Sequence, residues 1–370
     1  MANSVSIDAL RPEIWRKELF QDVIDNLYFT EMGMMGEDDN NIVQTMNDLK
    51  KEAGDTVTFG LTAKLAGNGV SGDAELEGNE EAILPYSESV LIDQQRHAVR
   101  LTGKLDEQKN GYNMRSDAKA KLSTWLQEFI ERQVFLKLGG VQSTTLVDTS
   151  GVVISANATW SNTPDIFPAA DEAAGSGNRY LCANTGGIDA LTTSDKITPS
   201  LISKARVKAK LASPMIRPLR IKGKDYYVLF VHPRQAYDLK TDATWSQAHR
   251  EADIRGDQNA IFAGALGIWD GVIVHEHEYV PWIDVSALTT DKFASGGTTA
   301  AQDCYRALLC GRQAVGFAQC AGGPGQWVEK SFDYDNKWGV ATSLIGGIQK
   351  LMFNSKEYGV IALDTYATEV

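Results

Sequence analysis

The sequence predicts an α+β protein built around one long helix, and three observations carry that expectation. Residues 116 to 140, "SDAKAKLSTWLQEFIERQVFLKLGG", place Leu122, Trp125, Leu126 and Phe129 on one helical face, pair Glu128 with Arg132, and end in Gly139-Gly140. Runs on both sides of it alternate with a period of two, as strands do. No repeat of fixed period is visible along the 370 residues, which excludes solenoids and propellers.

From the N-terminus, residues 11 to 29 set Trp15, Leu19, Val23 and Leu27 four apart, so a helix is expected there. "NNIVQTMNDLKKEAGD" offers Ile42, Met46 and Leu49 on one side and Gly54 as a stop, which predicts a second, short helix. "TVTFGLT" then alternates Val57, Phe59 and Leu61, a strand. It leads into an arm punctuated by Gly67, Gly69, Gly72 and Gly78 and loaded with Asp73, Glu75, Glu77, Glu80 and Glu81. "SVLIDQQRHAVRLTGKL" reads as one long strand coming back, which makes residues 55 to 105 an extended two-stranded excursion.

The long helix follows, and at 1.5 Å per residue it reaches about 35 Å, more than most single lobes require. Residues 141 to 197 are dominated by Thr, Ser, Asn, Ala and Gly and predict a surface insertion with short strands, anchored by Val152, Ile154, Trp160, Ile166 and Phe167. Next come a helix from Pro199 to Leu211, a buried-type strand "YYVLFVH" and a short helix after Pro233. "GIWDGVIVHEHEYV" reads as one more strand, and "CYRALLCGRQAVGFAQ" as a strand or short helix. The tail alternates turns with strands in "QWVEKSFDYDNKWGVATSLIGGIQKLMF" and "YGVIALDTY".

Composition narrows the functions. The apolar fraction of 43% is that of a folded protein, and no run of about 18 apolar residues or signal-like N-terminus occurs, so neither a membrane nor secretion is expected. Cys182, Cys304, Cys310 and Cys320 lack C-x-x-C spacing and read as reduced thiols in a cytoplasmic setting. A net charge of −12 opposes tight binding to nucleic acid, whose affinity comes from Lys and Arg neutralising phosphates.

Each chemical motif fails on inspection. "DAELEG" starts like a calcium loop at Asp73, Glu75, Glu77 and Gly78, but the twelfth position, which needs a bidentate glutamate, is Leu84. His275 and His277 in "HEHE" share one face of a strand, yet no third ligand stands at a recognisable spacing. His97, His232 and His249 are scattered, G-x-S-x-G is absent, and "GALGIWDG", "TGKL" and "KGKD" complete no nucleotide loop. "AGGPGQW" is a tight turn. The expectation is a protein without catalytic residues, cofactor or metal.

The order of parts, together with "NNIVQTMNDLKKEAGDTVTFGL", "GNGVSGDAELEGNEE", "IDQQRHAVRLTGKL" and "LFVHPRQAYDL", resembles the major capsid proteins of tailed bacteriophages, which have the Hong Kong 97-type fold. It resembles more closely the family typified by the major capsid protein of N4-like phages, with weaker echoes in "GVIVHEHEYVP", "LLCGRQAVGFAQ" and "DYDNKWGVATSLIGGIQKLMF". The resemblance implies an N-terminal arm at 1–54, an E-loop at 55–105 lying over a neighbouring subunit, and a P-domain spine helix at 106–140. It further implies an insertion at 141–197, an A-domain at 198–315, and closing P-domain strands with the C-terminal segment at 316–370.

On this reading Gly67, Gly69, Gly72, Asp73, Glu75, Glu77, Gly78, Glu80 and Glu81 form the assembly tip. Its glycines supply bends, and its carboxylates keep free monomers from associating early. Leu122, Trp125, Leu126 and Phe129 pack the spine against the closing strands near Val340 to Phe353. The implied partners are the chain itself in hexamers and pentamers, a scaffolding protein, a portal and a decoration or cement protein. The implied shell is an icosahedral virion capsid, assembled in the bacterial cytoplasm, that encloses double-stranded DNA without gripping it. Covalent cross-linking is not implied. No long, charged, coiled-coil-like segment opens the chain, so scaffolding is expected as a separate or removed part. The competing readings are an α/β-lobed hydrolase and another phage structural protein, a tube or portal subunit.

Overall fold

In the computed structural model, the described residues are 27–46, 56–62, 69–73, 75–82, 85–105, 109, 114–139, 146–147, 153–154, 179–187, 190–251, 265–283, 302–319, 326–334, 336–353 and 356–369. Their strands gather into two main sheets with the spine helix, Met114–Gly139, running against both.

The first sheet is organised by Lys337–Lys350, a strand of 14 residues. Asp93–Arg100, Gln326–Phe332 and Val315–Gln319 all pair antiparallel with it. From Val340 onward its even-numbered residues, Val340, Thr342, Leu344, Ile348 and Lys350 among them, are buried. Val340 packs with Leu122 of the helix, and Leu344 and Ile348 join Leu126, Ile130 and Val134 in the main core. Ala118, Leu122, Leu126, Ile130, Val134 and Leu138 are all buried and spaced four apart, a single ridge down the helix.

Val43–Met46 joins this sheet as a strand, parallel to Met35–Gly36 on one side and to Val315–Gln319 on the other. A helix is expected there from Ile42, Met46 and Leu49. Buried Val43 and Thr45 instead alternate as β-branched residues between two ladders, so tertiary pairing overrides the helical spacing. Residues 47–55 and residues 11–26 of the expected first helix lie outside the described residues; of that helix the structure describes Leu27 and the turn that begins at Tyr28 and runs to Glu31.

The second sheet runs Ala265–Trp269, Val272–Glu276, Lys224–Val231, Cys304–Cys310, Val360–Thr365, Tyr180–Cys182, with Leu219–Ile221 and Trp282–Ile283 on its flanks. Both faces are covered. Tyr227, Leu229, Val231, Val272, Val274, Ala307, Leu309, Ile361 and Leu363 meet the helix Pro199–Leu211 through Leu201, Ile202, Ala205 and Ala209. The residues between them, Val228, Phe230, Ile273, Leu308, Cys310 and Val360, meet the spine helix in the main core. There Phe135 of the helix packs 5.4 Å from Phe230 and 5.3 Å from Phe29, joining helix, sheet and N-terminal segment.

Local capping explains where the smaller helices start. Thr198 Oγ1 accepts from the Leu201 amide ahead of Pro199, and His232 forms a capping box with Gln235 ahead of Pro233, the start of the helix to Thr241.

Three segments differ from the sequence expectations. "GIWDGVIV" is a hairpin, turned at Asp270 and Gly271 with φ of 47° and 75°. "CYRALLCGRQAVGFAQ" is two strands, one in each main sheet. The break falls at Gly311, where a Cβ would stand 2.4 Å from the Arg217 carbonyl oxygen. The returning stretch after the arm is likewise two strands, Pro85–Leu91 on the arm and Asp93–Arg100 on the long strand, since each needs a different partner. Segment 316–370 contributes to both sheets, because Val360–Thr365 lies in the second. Within 141–197, Leu146–Val147 pairs with Val153–Ile154 and Tyr180–Cys182 extends the second sheet; Val152, Trp160, Ile166 and Phe167 lie outside the described residues.

Candidate functional site

The arm has a fixed root. Thr56–Thr62 and Pro85–Leu91 form seven antiparallel pairs, and Val57, Phe59 and Val90 on one face bury against Ala318, Leu351, Phe353 and Tyr358. Two glycines make the seat for this ladder. A Cβ on Gly347 would stand 2.1 Å from the Leu91 oxygen, and one on Gly316 would stand 2.8 Å from Phe59 Cζ. Only a bare backbone permits so close an approach. Gln349 Nε2 donates to Glu88 Oε1 at 3.2 Å beside it.

Beyond the ladder the character changes. Gly69, Gly72 and Gly78 hold φ of 66°, 68° and 90°, the left-handed region, and a Cβ on any of them would meet nothing within 4 Å. Asp73, Glu75, Glu77, Glu80 and Glu81 are exposed, and Leu76 among them is 61% exposed. Local bonds shape this tip: Asn79 N donates to Leu76 O, Asn79 Nδ2 to Glu75 O, and Gly78 N to Glu80 Oε2 at 2.8 Å. Gly67 lies outside the described residues.

On the spine, Leu122 and Leu126 are fully buried, whereas Trp125 and Phe129 are half-buried at the rim of the core. Trp125 stacks on Phe129 at 5.5 Å and lies 4.6 Å from the His97 ring of the first sheet. The stronger anchors Ile130, Val134 and Leu138 continue the unbroken four-residue spacing from Ala118, which is the signal that finds them; Phe135, one position off that ridge, is not marked by it.

A buried ion pair joins the interior strands to the end of the spine. Arg306 on Cys304–Cys310 donates through Nε and Nη2 to both oxygens of Asp364, at 2.7 and 2.5 Å, and both side chains are wholly buried. Its Nη1 donates to the carbonyl of Gly139 at 3.3 Å, where the helix dipole is negative. A second buried pair, Lys350 with Glu357 at 3.3 Å, ties the far end of the long strand to Lys356–Glu357. Truncating one partner of such a pair strands a charge in the interior.

His275 and His277 pack around Tyr28. Tyr28 Oη and His275 Nδ1 are 2.9 Å apart, and the His277 ring stacks on Phe135 at 4.4 Å. Burial, with His275 adjoining, holds His277 well down, at about 4. Among the described residues no group of three His, Cys, Asp or Glu is placed to hold a metal ion, and Cys182, Cys304 and Cys310 are buried without disulfides; Cys320 lies outside them. No described helix is long and apolar enough to cross a membrane.

The arrangement of arm, spine helix and two sheets is shared with solved virion shells. The capsid of Ralstonia phage GP4 superposes with a TM-score of 0.77 at 26% identity, covering 100% of this chain and 95% of that one. The Cyanophage Pam1 capsid asymmetric unit gives 0.70 at 24% identity, covering 93% and 94%. The protein therefore has the Hong Kong 97-type capsid fold.

Sequence carries the assignment further. The phage capsid protein family model matches residues 3–369, and the major capsid protein of Pseudomonas phage KPP25 is 33% identical over 354 residues, 91% of this chain and 90% of that one. The chain belongs to the phage capsid protein family, a structural family of the virion.

Proposed function

We propose that copies of this chain close an icosahedral shell around phage double-stranded DNA, each subunit laying its acidic arm over a neighbour. The observation that carries this is the contrast within one hairpin: a root seated on Gly316 and Gly347, and a charged tip with open space around its glycines. An arm anchored at one end and bare at the other is built to be ordered by contact with another molecule, and a shell supplies that contact at every position. In this scheme residues 1–54 are the N-terminal arm, 55–105 the E-loop, 106–140 the spine of the P-domain, 141–197 an insertion, 198–315 the A-domain and 316–370 the closing segment. Hexamers and pentamers are the assembly units, formed in the bacterial cytoplasm. Scaffolding, portal and decoration proteins are the partners of such a shell.

Replacing residues 69–82 with a short flexible link tests the reading while sparing the ladder. The subunit is expected to fold and melt as the parent does and to form no closed shells in electron micrographs; shells of normal size would overturn the role of the arm. With a net charge of −12, purified subunits are expected to retain little double-stranded DNA at about 0.15 M salt, and submicromolar affinity there would contradict enclosure without gripping.

A further inference from the structure

An acidic protein has concentrated positive charge in one run of its sequence. Residues 199–224 contain Lys204, Arg206, Lys208, Lys210, Arg217, Arg220, Lys222 and Lys224 and no carboxylate, in a chain with 48 Asp and Glu against 36 Lys and Arg. Arg206 is used by Asp270, Lys208 by the Tyr180 carbonyl, and Arg217 by the Tyr358 ring. Lys204, Lys210, Lys222 and Lys224 are exposed with no partner among the described residues.

The same run also exposes apolar side chains. On the helix Pro199–Leu211, the face opposite Leu201, Ile202, Ala205 and Ala209 carries Val207 and Leu211, 51% and 74% exposed, and Met215 just past the helix is 50% exposed. At 100° per residue, Lys204 and Lys210 fall on either side of this stripe. A phosphate backbone would use the lysines and leave the stripe wet. An acidic segment carrying an exposed aliphatic side chain would use both.

The chain itself contains such a segment: five carboxylates between Asp73 and Glu81, with Leu76 exposed among them. We infer that the Val207–Leu211–Met215 face receives the acidic arm tip of a second copy, with Leu76 on the stripe and the carboxylates on Lys204, Lys210, Lys222 and Lys224. The inference rests on the shell reading above, since repeated copies bring tip and face together in equal number, and it names where on the neighbour the tip lands.

The test is cross-linking in shells assembled from an equal mixture of chains made with light and heavy nitrogen. A carbodiimide, which joins a carboxylate to an amine in direct contact, is expected to give mixed-isotope peptides linking residues 73–81 to Lys204, Lys210, Lys222 or Lys224. Links confined to one isotope, or mapping the tip elsewhere, overturn the inference. Charge reversal supplies the second arm. Lys204→Glu with Lys210→Glu, and separately Glu75→Lys with Glu77→Lys, are each expected to lower shell yield about tenfold or more, and combining all four to restore it to within about threefold. Unchanged yield in either pair, or no restoration in the combination, overturns it. So does retention of double-stranded DNA by this face at about 0.15 M salt. Parent chains that never assemble would sink the shell reading instead. The docking is then read directly by titrating a synthetic peptide of residues 69–82 into the subunit: salt-sensitive binding lost in the Lys204→Glu, Lys210→Glu variant supports it, and absence of binding overturns it.

Discussion

Two antiparallel ladders of nearly equal length have opposite fates in this molecule. Thr56–Thr62 against Pro85–Leu91 makes seven pairs, and Cys304–Cys310 against Val360–Thr365 makes six. Their backbone bonding is alike, so the difference lies in the faces. In the arm, Val57 and Phe59 are buried while Thr56, Thr58 and Gly60 are exposed. In the interior pair every residue is buried, Arg306 and Asp364 included. Backbone pairing therefore does not decide where the fold's stability resides; burial of both faces does. The arm packs one face on its own subunit and leaves the other exposed.

The hardest blow to the interior ladder is Asp364→Ala, which leaves Arg306 charged and buried. Breaking such a pair costs about 3–5 kcal/mol, a large share of a domain's roughly 5–15 kcal/mol, so an insoluble or unfolded subunit is expected. If that variant melted like the parent, the two ladders would not differ as described. Next in size is the spine: Leu126→Ala should cost about 2–5 kcal/mol, and half-buried Trp125→Ala about 1–3 kcal/mol, read by thermal melting of isolated subunits. A larger loss at Trp125 would move the core to the helix rim.

Gly347→Val strikes the arm root alone. Its side chain would collide with the Leu91 backbone, at an expected cost of about 1–3 kcal/mol. Hydrogen exchange should rise across Thr56–Leu91 and stay unchanged in Cys304–Cys310; equal loosening of both would show that the two regions are one cooperative unit.

The smallest effect at neutral pH is expected from His232→Asn, which keeps a capping acceptor. Burial, with the neighbouring Arg234 charge, holds His232 at about 4 against an ordinary 6.5. Above pH 6.5 the ring is neutral in both states and contributes no pH dependence; between 6.5 and about 4 only the unfolded chain takes up the proton, so acid lowers stability. The slope is about 1.4 kcal/mol per pH unit, and the variant should lose that slope while remaining within about 1 kcal/mol of the parent at pH 7. Parallel melting curves from pH 7 to 4 would exclude His232 as the source.

Local signals made part of this legible. Thr198 and Pro199 mark a helix start at the residue where it occurs, and the alternation of Val57 and Phe59 marks the arm strand. The strand at Val43 is hidden because its ladder partner, Val315, stands some 270 residues away. The hairpin at Asp270-Gly271 is legible in its Asp-Gly turn signal, although the apolar residues on both sides read as one continuous strand. Arg306 and Asp364 each sit as a lone charge inside an apolar strand, a hint that each needs a partner; which partner is fixed only by the pairing of the strands. In the arm, the spacing of Gly316 and Gly347 says nothing of Phe59 and Leu91, because a seat is defined by what rests on it.

The parallel pairing of Val43–Met46 with Val315–Ala318 also sets a timetable. A chain made from its N-terminus exposes the first strand long before its partner exists. At roughly 5–20 residues per second, the wait across some 270 residues is roughly 14 to 55 s. Throughout it, buried Val43 lacks its Val315 ladder, and Phe29 waits a shorter time for Phe135 and then Phe230. The subunit cannot finish its first sheet until Lys337–Lys350 has been made. That leaves a window in which nascent chains are open to chaperones or to one another.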